Sequence, residues 1–230
     1  MTLVALFADD EGILLCGDGL RQEQNNPTPK TDTVKVFCTN DRRICFALYG
    51  AVPFPDGHGG YLTDLWLADF TAHSIPTDAS VRYATVLLEQ ALKNPAIGNL
   101  RSTGGGFLVA GYEGDKASAF EIFCQSVSDE DVSLQVGSWE LQSCDFRQHP
   151  LLRGEYCDYS VLHRDLGVSF PKIRKEQIGW FDGVVKILAS KRKPVGGQTS
   201  YIIIERPKAT LGHVDAESPL KGSIGPRSPI

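Results

Sequence analysis

Apolar residues come in short blocks from the start of the chain. Leu3–Ala8 and Ile13–Cys16 are two such runs, parted by Asp9-Asp10-Glu11-Gly12. This pattern predicts a β-hairpin: a strand, an acidic turn closed by glycine, and a second strand. Gly17-Asp18-Gly19 and a polar loop, Arg21–Asp32 with Pro27 and Pro29, come next. Val34–Cys38 and Ile44–Leu48, joined by Thr39–Arg43, alternate or run apolar with β-branched residues and predict two more strands. Tyr49-Gly50-Ala51 ends the second of these, and a Pro/Gly-rich loop, Val52–Gly60, follows.

The periodicity then changes to a helical one. Tyr61–His73 predicts a helix with Leu62, Leu65, Trp66 and Phe70 inward. Ala79–Asn94 predicts another, capped by Thr77-Asp78, striped by Val81, Ala84, Thr85, Leu88 and Leu92, and stopped by Pro95. After Gly104-Gly105-Gly106 a second hairpin is expected, Phe107–Tyr112 and Ala117–Cys124 around Glu113-Gly114-Asp115-Lys116. A further strand is expected over Val132–Trp139. The segment Asp145–Pro171 shows no clear period and is expected to be irregular with short helical pieces.

Ile173–Lys191 predicts a long helix with Ile178, Phe181, Val185 and Leu188 facing in and basic residues near its C-terminus. Thr199–Glu205 predicts the last strand. Pro207–Ile230 has four Pro, three Gly and few large apolar residues, so it is expected to be a flexible tail after a domain of residues 1–206. The order is an α+β one. Two stacked antiparallel sheets, covered by helices outside, would bury every stripe.

Composition narrows the function classes. At 42% hydrophobic and 22% charged residues, the 230-residue chain has the balance of a globular domain with a sizeable core. A net charge of −5 argues against nucleic acid or an anionic membrane as partner. No apolar run reaches the ~18–20 residues that would span a bilayer, and no basic segment precedes the first strand, so no secretory signal and a cytoplasmic location are expected. Four of the six cysteines, Cys16, Cys38, Cys45 and Cys124, sit in apolar strand-like runs, and Cys144 and Cys157 stand apart. Without a C-x-x-C they read as reduced thiols. The five histidines pair with no cysteine at close spacing, so no zinc site is expected; His58 and His73 read as surface or capping residues. The Gly104–Gly106 run lacks the Lys-Ser/Thr of a phosphate cradle and reads as a loop before a strand.

The candidate chemistry lies at the start. Initiator methionine is commonly removed when the next residue is small, and the second residue is Thr2. Thr2 would then carry a hydroxyl and an α-amine, whose unperturbed pKa of about 7.7–8.0 lets it accept a proton near neutrality. Nucleophile and base on one residue is a known solution for acyl transfer.

The element order, Thr2, and the Gly17-Asp18-Gly19 form at the end of the second strand resemble the proteasome β-type family of N-terminal-nucleophile hydrolases. The resemblance covers Thr2 to Glu205 and is strongest over Thr2–Ala51, Gly106–Cys124 and Val195–Glu205. The Gly17-Asp18-Gly19 form resembles the peptidase subunit of the bacterial ATP-dependent two-component protease, and a threonine directly after Met1 resembles the bacterial ancestral-β-subunit proteins. The family resemblance implies a four-layer αββα sandwich of the Ntn-hydrolase type. It further implies that Thr2 is the nucleophile, that Asp18, sixteen residues on, holds the catalytic Lys35 of the third strand, and that the Gly50 N–H binds the oxyanion. Ser138, in Gly137-Ser138-Trp139, is the counterpart of a supporting serine.

Two departures stand out. Arg192-Lys193-Pro194-Val195 precedes Gly196-Gly197 without the family's Asp and Ser, and Leu3 follows Thr2 where many relatives have a second Thr. The expected activity is threonine-type peptide hydrolysis without cofactor, on peptide or unfolded-protein substrates, by a ring-like homo-oligomer; whether an unfoldase serves it stays open. Two other readings stay open. One is a catalytically silent β-like subunit, which a register with Met1 at the nucleophile position would give. The other is an Ntn amidohydrolase acting on a small amide.

Overall fold

The computed structural model describes residues 2–9, 11–20, 31–50, 63–93, 104–113, 116–126, 134–141, 146, 148–205 and 208–214. The first hairpin forms as its pattern predicts. β1 (Leu3–Ala8) pairs antiparallel with β2 (Ile13–Gly17) from Val4↔Gly17 to Ala8↔Ile13. Its turn is closed by Asp9, whose Oδ1 accepts from the N–H groups of Glu11 at 2.9 Å and Gly12 at 3.1 Å. The next pair is β3 (Val36–Cys38) and β4 (Ile44–Gly50). β5 (Gly105–Glu113) and β6 (Lys116–Ser126) form the long central hairpin, and β7 (Leu134–Leu141) pairs with β6. The Gly104–Gly106 run is a loop before the strand only at Gly104; Gly105 and Gly106 already belong to β5 and pair with Gly50 and Tyr49 of β4.

The chain is α+β, and its described residues form two antiparallel five-stranded sheets and four helices. The second sheet runs β3-β4-β5-β6-β7. The first runs β10-β9-β2-β1-β8, where β8 is Leu151–Gly154, β9 is Thr199–Glu205 and β10 is Lys208–Val214. The helices are α1 (Thr63–His73), α2 (Val81–Leu92), α3 (Tyr159–Leu166) and α4 (Arg174–Ser190).

Strand alternation sorts the apolar side chains into three buried clusters. Val4, Leu6, Ala8, Ile13, Leu15 and Ile202 of the first sheet meet Cys45, Ala47, Tyr49, Leu108 and Ala119 of the second. The other face of the second sheet, including Phe46, Phe107 and Ile122, buries Leu67 and Phe70 of α1 and Val81, Ala84, Leu88 and Leu92 of α2. The other face of the first sheet, including Leu3, Phe7 and Leu14, buries Leu162 of α3 and Phe181, Val184, Val185 and Leu188 of α4.

Several local expectations need correction. On α1, Leu67, Phe70 and Thr71 form the buried i, i+3, i+4 stripe, while Leu65 is 59% exposed. Two residues turn a helix by about 200°, so Leu65 and Leu67 cannot both face the sheet; Leu62 lies outside the described residues. The α2 stripe is buried as expected, but its cap is Ser80, whose side chain accepts from Tyr83 N–H at 3.1 Å. Asp78 stands in a left-handed turn at φ 63° and pairs instead with Arg43. The unassigned segment supplies a strand, β8, and a helix, α3, capped by Asp158 and closed by Gly167 at φ 67°. In α4, Ile178 is only partly buried, and Val184 joins the core face. The chain beyond Pro207 continues as β10, which pairs along all of β9 from Lys208↔Glu205 to Val214↔Thr199. A domain ending at residue 206 is therefore too short by that strand; residues 215–230 lie outside the described ones.

Candidate active site

Thr2 precedes β1 and continues the Val4–Leu6–Ala8 alternation, so its side chain faces the second sheet. Asp18 follows β2, and Lys35 precedes β3. The hairpin returns β2 to the start of β1, and the β3–β4 pair lies across the inter-sheet space, with Leu48 N–H donating to Lys35 O at 3.0 Å. The three side chains meet. Lys35 Nζ stands 3.1 Å from Thr2 Oγ1, 3.0 Å from Asp18 Oδ1 and 2.5 Å from Leu20 O. Thr2, Asp18 and Lys35 are all at most 4% exposed.

An ammonium donates and cannot accept. Thr2 Oγ1 therefore accepts from Lys35 and keeps its own proton for another acceptor. Asp18 is held as firmly. Its Oδ1 also accepts from Leu3 N–H at 2.8 Å, and its Oδ2 from Gly196 N–H at 3.2 Å and Leu20 N–H at 3.3 Å. A buried carboxylate with three backbone donors and one ammonium is a fully partnered charge. The Arg192–Val195 stretch thus supplies no acid, but the glycine after it contacts Asp18 through its backbone.

The Thr2 carbonyl is fixed from β8. Glu155 N–H donates to Thr2 O at 2.9 Å, and Gly154, at φ 103°, packs so closely on that oxygen that a Cβ there would overlap it. Gly50 ends β4 at φ 70°, where a Cβ would overlap the Gly104 carbonyl. It lies at the same end of the sheet as Lys35, two residues past Leu48.

Ser138 is not brought to this cluster. It lies within β7, is exposed, and donates to Glu89 Oε2 on α2 at 3.1 Å, on the helix-facing side of the second sheet. Its position is set by strand alternation: Val136 is buried among helix contacts, and Ser138 follows it on the same face.

A second polar group lies between the sheets and was not legible as a unit in the sequence. Arg153 of β8 donates through Nε and Nη2 to the two oxygens of Glu121 on β6, the latter bond being 2.6 Å. Tyr49 Oη donates to Glu121 Oε1 at 2.5 Å. Burial alone would raise the Glu121 carboxyl, but hydrogen bonds from Arg153 and Tyr49 and the Arg153 charge bring it below its ordinary value. Burial, then the Glu121 hydrogen bond and charge, pushes the Tyr49 phenol up. The only sequence signals were an Arg and a Glu inside apolar strand runs, LLRG and FEIF.

Among the described residues, no group of three or more His, Cys, Asp or Glu side chains is placed to hold a metal ion. No described helix is long and apolar enough to cross a membrane. No protein-family model matches the chain, and no curated protein matches it significantly.

Proposed function

We propose that the chain is a threonine-type peptidase of the proteasome β-subunit kind, with Thr2 made N-terminal by removal of Met1. The observation that carries this reading is the buried contact of Lys35 Nζ with Thr2 Oγ1 at 3.1 Å, while Asp18 holds the same ammonium at 3.0 Å. Burying a lysine–aspartate pair costs solvation that its mutual attraction repays only in good geometry. A charge held against a hydroxyl oxygen, with a carboxylate behind it, is an arrangement for stabilising a developing alkoxide.

In this mechanism Thr2 Oγ attacks a peptide carbonyl carbon. Its proton passes to the Thr2 amine, directly or through one water. The new oxyanion takes the Gly50 N–H, a donor worth about 3 kcal/mol in the transition state. The C–N bond breaks as the ammonium returns the proton to the leaving amine, and an acyl ester remains on Thr2. Water then attacks the ester with the amine again as base, releasing the acid and restoring Thr2. Lys35, hydrogen-bonded to Thr2 Oγ1 and paired with Asp18, orients the oxygen and offsets its charge.

The three core clusters support a helix–sheet–sheet–helix layering of the Ntn-hydrolase type. Substrates are peptides or unfolded proteins, the functional form is a ring-like homo-oligomer in the cytoplasm, and any unfoldase partner acts on that ring. The test is hydrolysis of a panel of fluorogenic peptides. Wild type is expected to cleave at least one, Thr2→Ala to fall to background, and Lys35→Ala to lose at least about 10²-fold. Cleavage that survives Thr2→Ala would overturn the assignment.

A further inference from the structure

We propose that Arg153, Glu121 and Tyr49 form a clamp across the two sheets that sets the spacing between the Thr2 nucleophile and the Gly50 N–H. They act as positioning residues, and the proposal rests on the peptidase reading above.

The clamp joins three strands. Tyr49 lies on β4, Glu121 on β6, and Arg153 on β8 of the opposite sheet. To reach Glu121 the Tyr49 ring passes over Gly106 of β5, where a Cβ would come within 2.8 Å of the phenol oxygen. Arg153 stands opposite Val4 in the β1–β8 ladder and spans the inter-sheet space from there. Its Nη1 is also occupied, donating to Leu152 O at 2.8 Å. The guanidinium is thus held in one orientation against both carboxylate oxygens, and a two-bond planar fork fixes direction as well as distance.

Each end of the clamp is one residue from a glycine of the proposed site. Tyr49 precedes Gly50, the oxyanion donor. Arg153 precedes Gly154, which packs on the Thr2 carbonyl, and the next N–H, from Glu155, donates to that carbonyl at 2.9 Å. A shift of Glu121 therefore moves the Gly50 strand end and the Thr2 strand end relative to each other.

Stability alone does not account for this group. Its surroundings between the sheets include Val4, Leu6, Ala47, Leu108 and Ala119. Buried ion pairs are often replaceable by packed apolar side chains without loss of stability. A directional contact in that setting has its use in geometry, and an error of about 1 Å between reacting groups can cost about 10²-fold in rate.

The test compares wild type with Tyr49→Phe and with the double variant Glu121→Leu/Arg153→Met. kcat and KM are measured on a cleaved fluorogenic peptide, and the thermal midpoint is measured alongside. The expected result is a kcat lower by about 10- to 100-fold with KM close to wild type, and a thermal midpoint in the double variant that is kept or raised. Arg153→Lys, which keeps the charge but not the fork, should give an intermediate kcat. Unchanged kcat in the variants, or a loss no larger than the loss of folded protein, overturns the clamp and leaves the peptidase reading standing. If the double variant does not fold, Tyr49→Phe decides, because it removes a single hydroxyl and keeps the ring. Wild type inert toward every peptide overturns the peptidase reading, and the clamp with it.

Discussion

Asp18 and Lys35 form one ion pair, but removing each partner should cost different amounts. In Lys35→Met an apolar chain of similar length replaces the ammonium. The Asp18 carboxylate then keeps its three backbone donors, Leu3, Gly196 and Leu20. Breaking a buried pair from one side typically costs about 3–5 kcal/mol, and those donors place this variant at or below the lower end. In Asp18→Ala the ammonium loses its carboxylate, while Thr2 Oγ1 and Leu20 O, both neutral acceptors, stay beside it. The N–H groups of Leu3 and Gly196 also lose their side-chain acceptor, at about 1–3 kcal/mol for each buried orphan. Asp18→Ala should therefore exceed Lys35→Met by at least about 2 kcal/mol. Urea unfolding with linear extrapolation measures both. Equal losses, or a larger loss for Lys35→Met, would show that Asp18 is not held by the backbone as described.

Three further outcomes follow from the packing. Glu121 titrates below its ordinary value in the folded chain, so it binds protons more weakly folded than unfolded. Its contribution is complete above the ordinary Glu value of about 4.3 and is lost as pH falls below it; acid unfolding of Glu121→Gln should be less steep there than that of wild type, and parallel curves would contradict this. Gly154→Ala should destabilise by more than the about 1–3 kcal/mol of a positive-φ residue, because its methyl also meets the Thr2 carbonyl; a thermal midpoint within a degree of wild type would refute it. Under native conditions a maleimide should label exposed Cys157 first and spare Cys16, Cys45 and Cys124, whose thiols burial pushes up, Cys124 to about 12. Early mass-spectrometric detection of label on any of those three would be inconsistent with their burial.

The hairpins and the α2 and α4 stripes were legible because each is a local period matched to one buried face. The pairing of Thr2, Asp18 and Lys35 came from a family order of residues, and the inter-sheet geometry gives it a physical form. What was not legible was set by tertiary contact. The cap of α2 shifted to Ser80 because Asp78 turned toward Arg43. β8 is only four residues long, too short to show a period. β10 is marked by no strong pattern in KATLGHV and exists as a partner for the edge of β9. Ser138 matches a supporting serine only in having glycine beside it, and alternation along β7 turns it toward α2. The Arg153–Glu121–Tyr49 group joins residues far apart in the chain, and no spacing announces it.

The proposed peptidase needs a reactive threonine at position 2 beside Lys35. Intact-mass and peptide mass spectrometry after exposure to a threonine-directed epoxyketone measure this most directly. A single adduct is predicted on Thr2 of a chain that has lost Met1, with none on Thr2→Ala. Wild type that keeps Met1 and takes no adduct, or an adduct mapped to another residue, would contradict it.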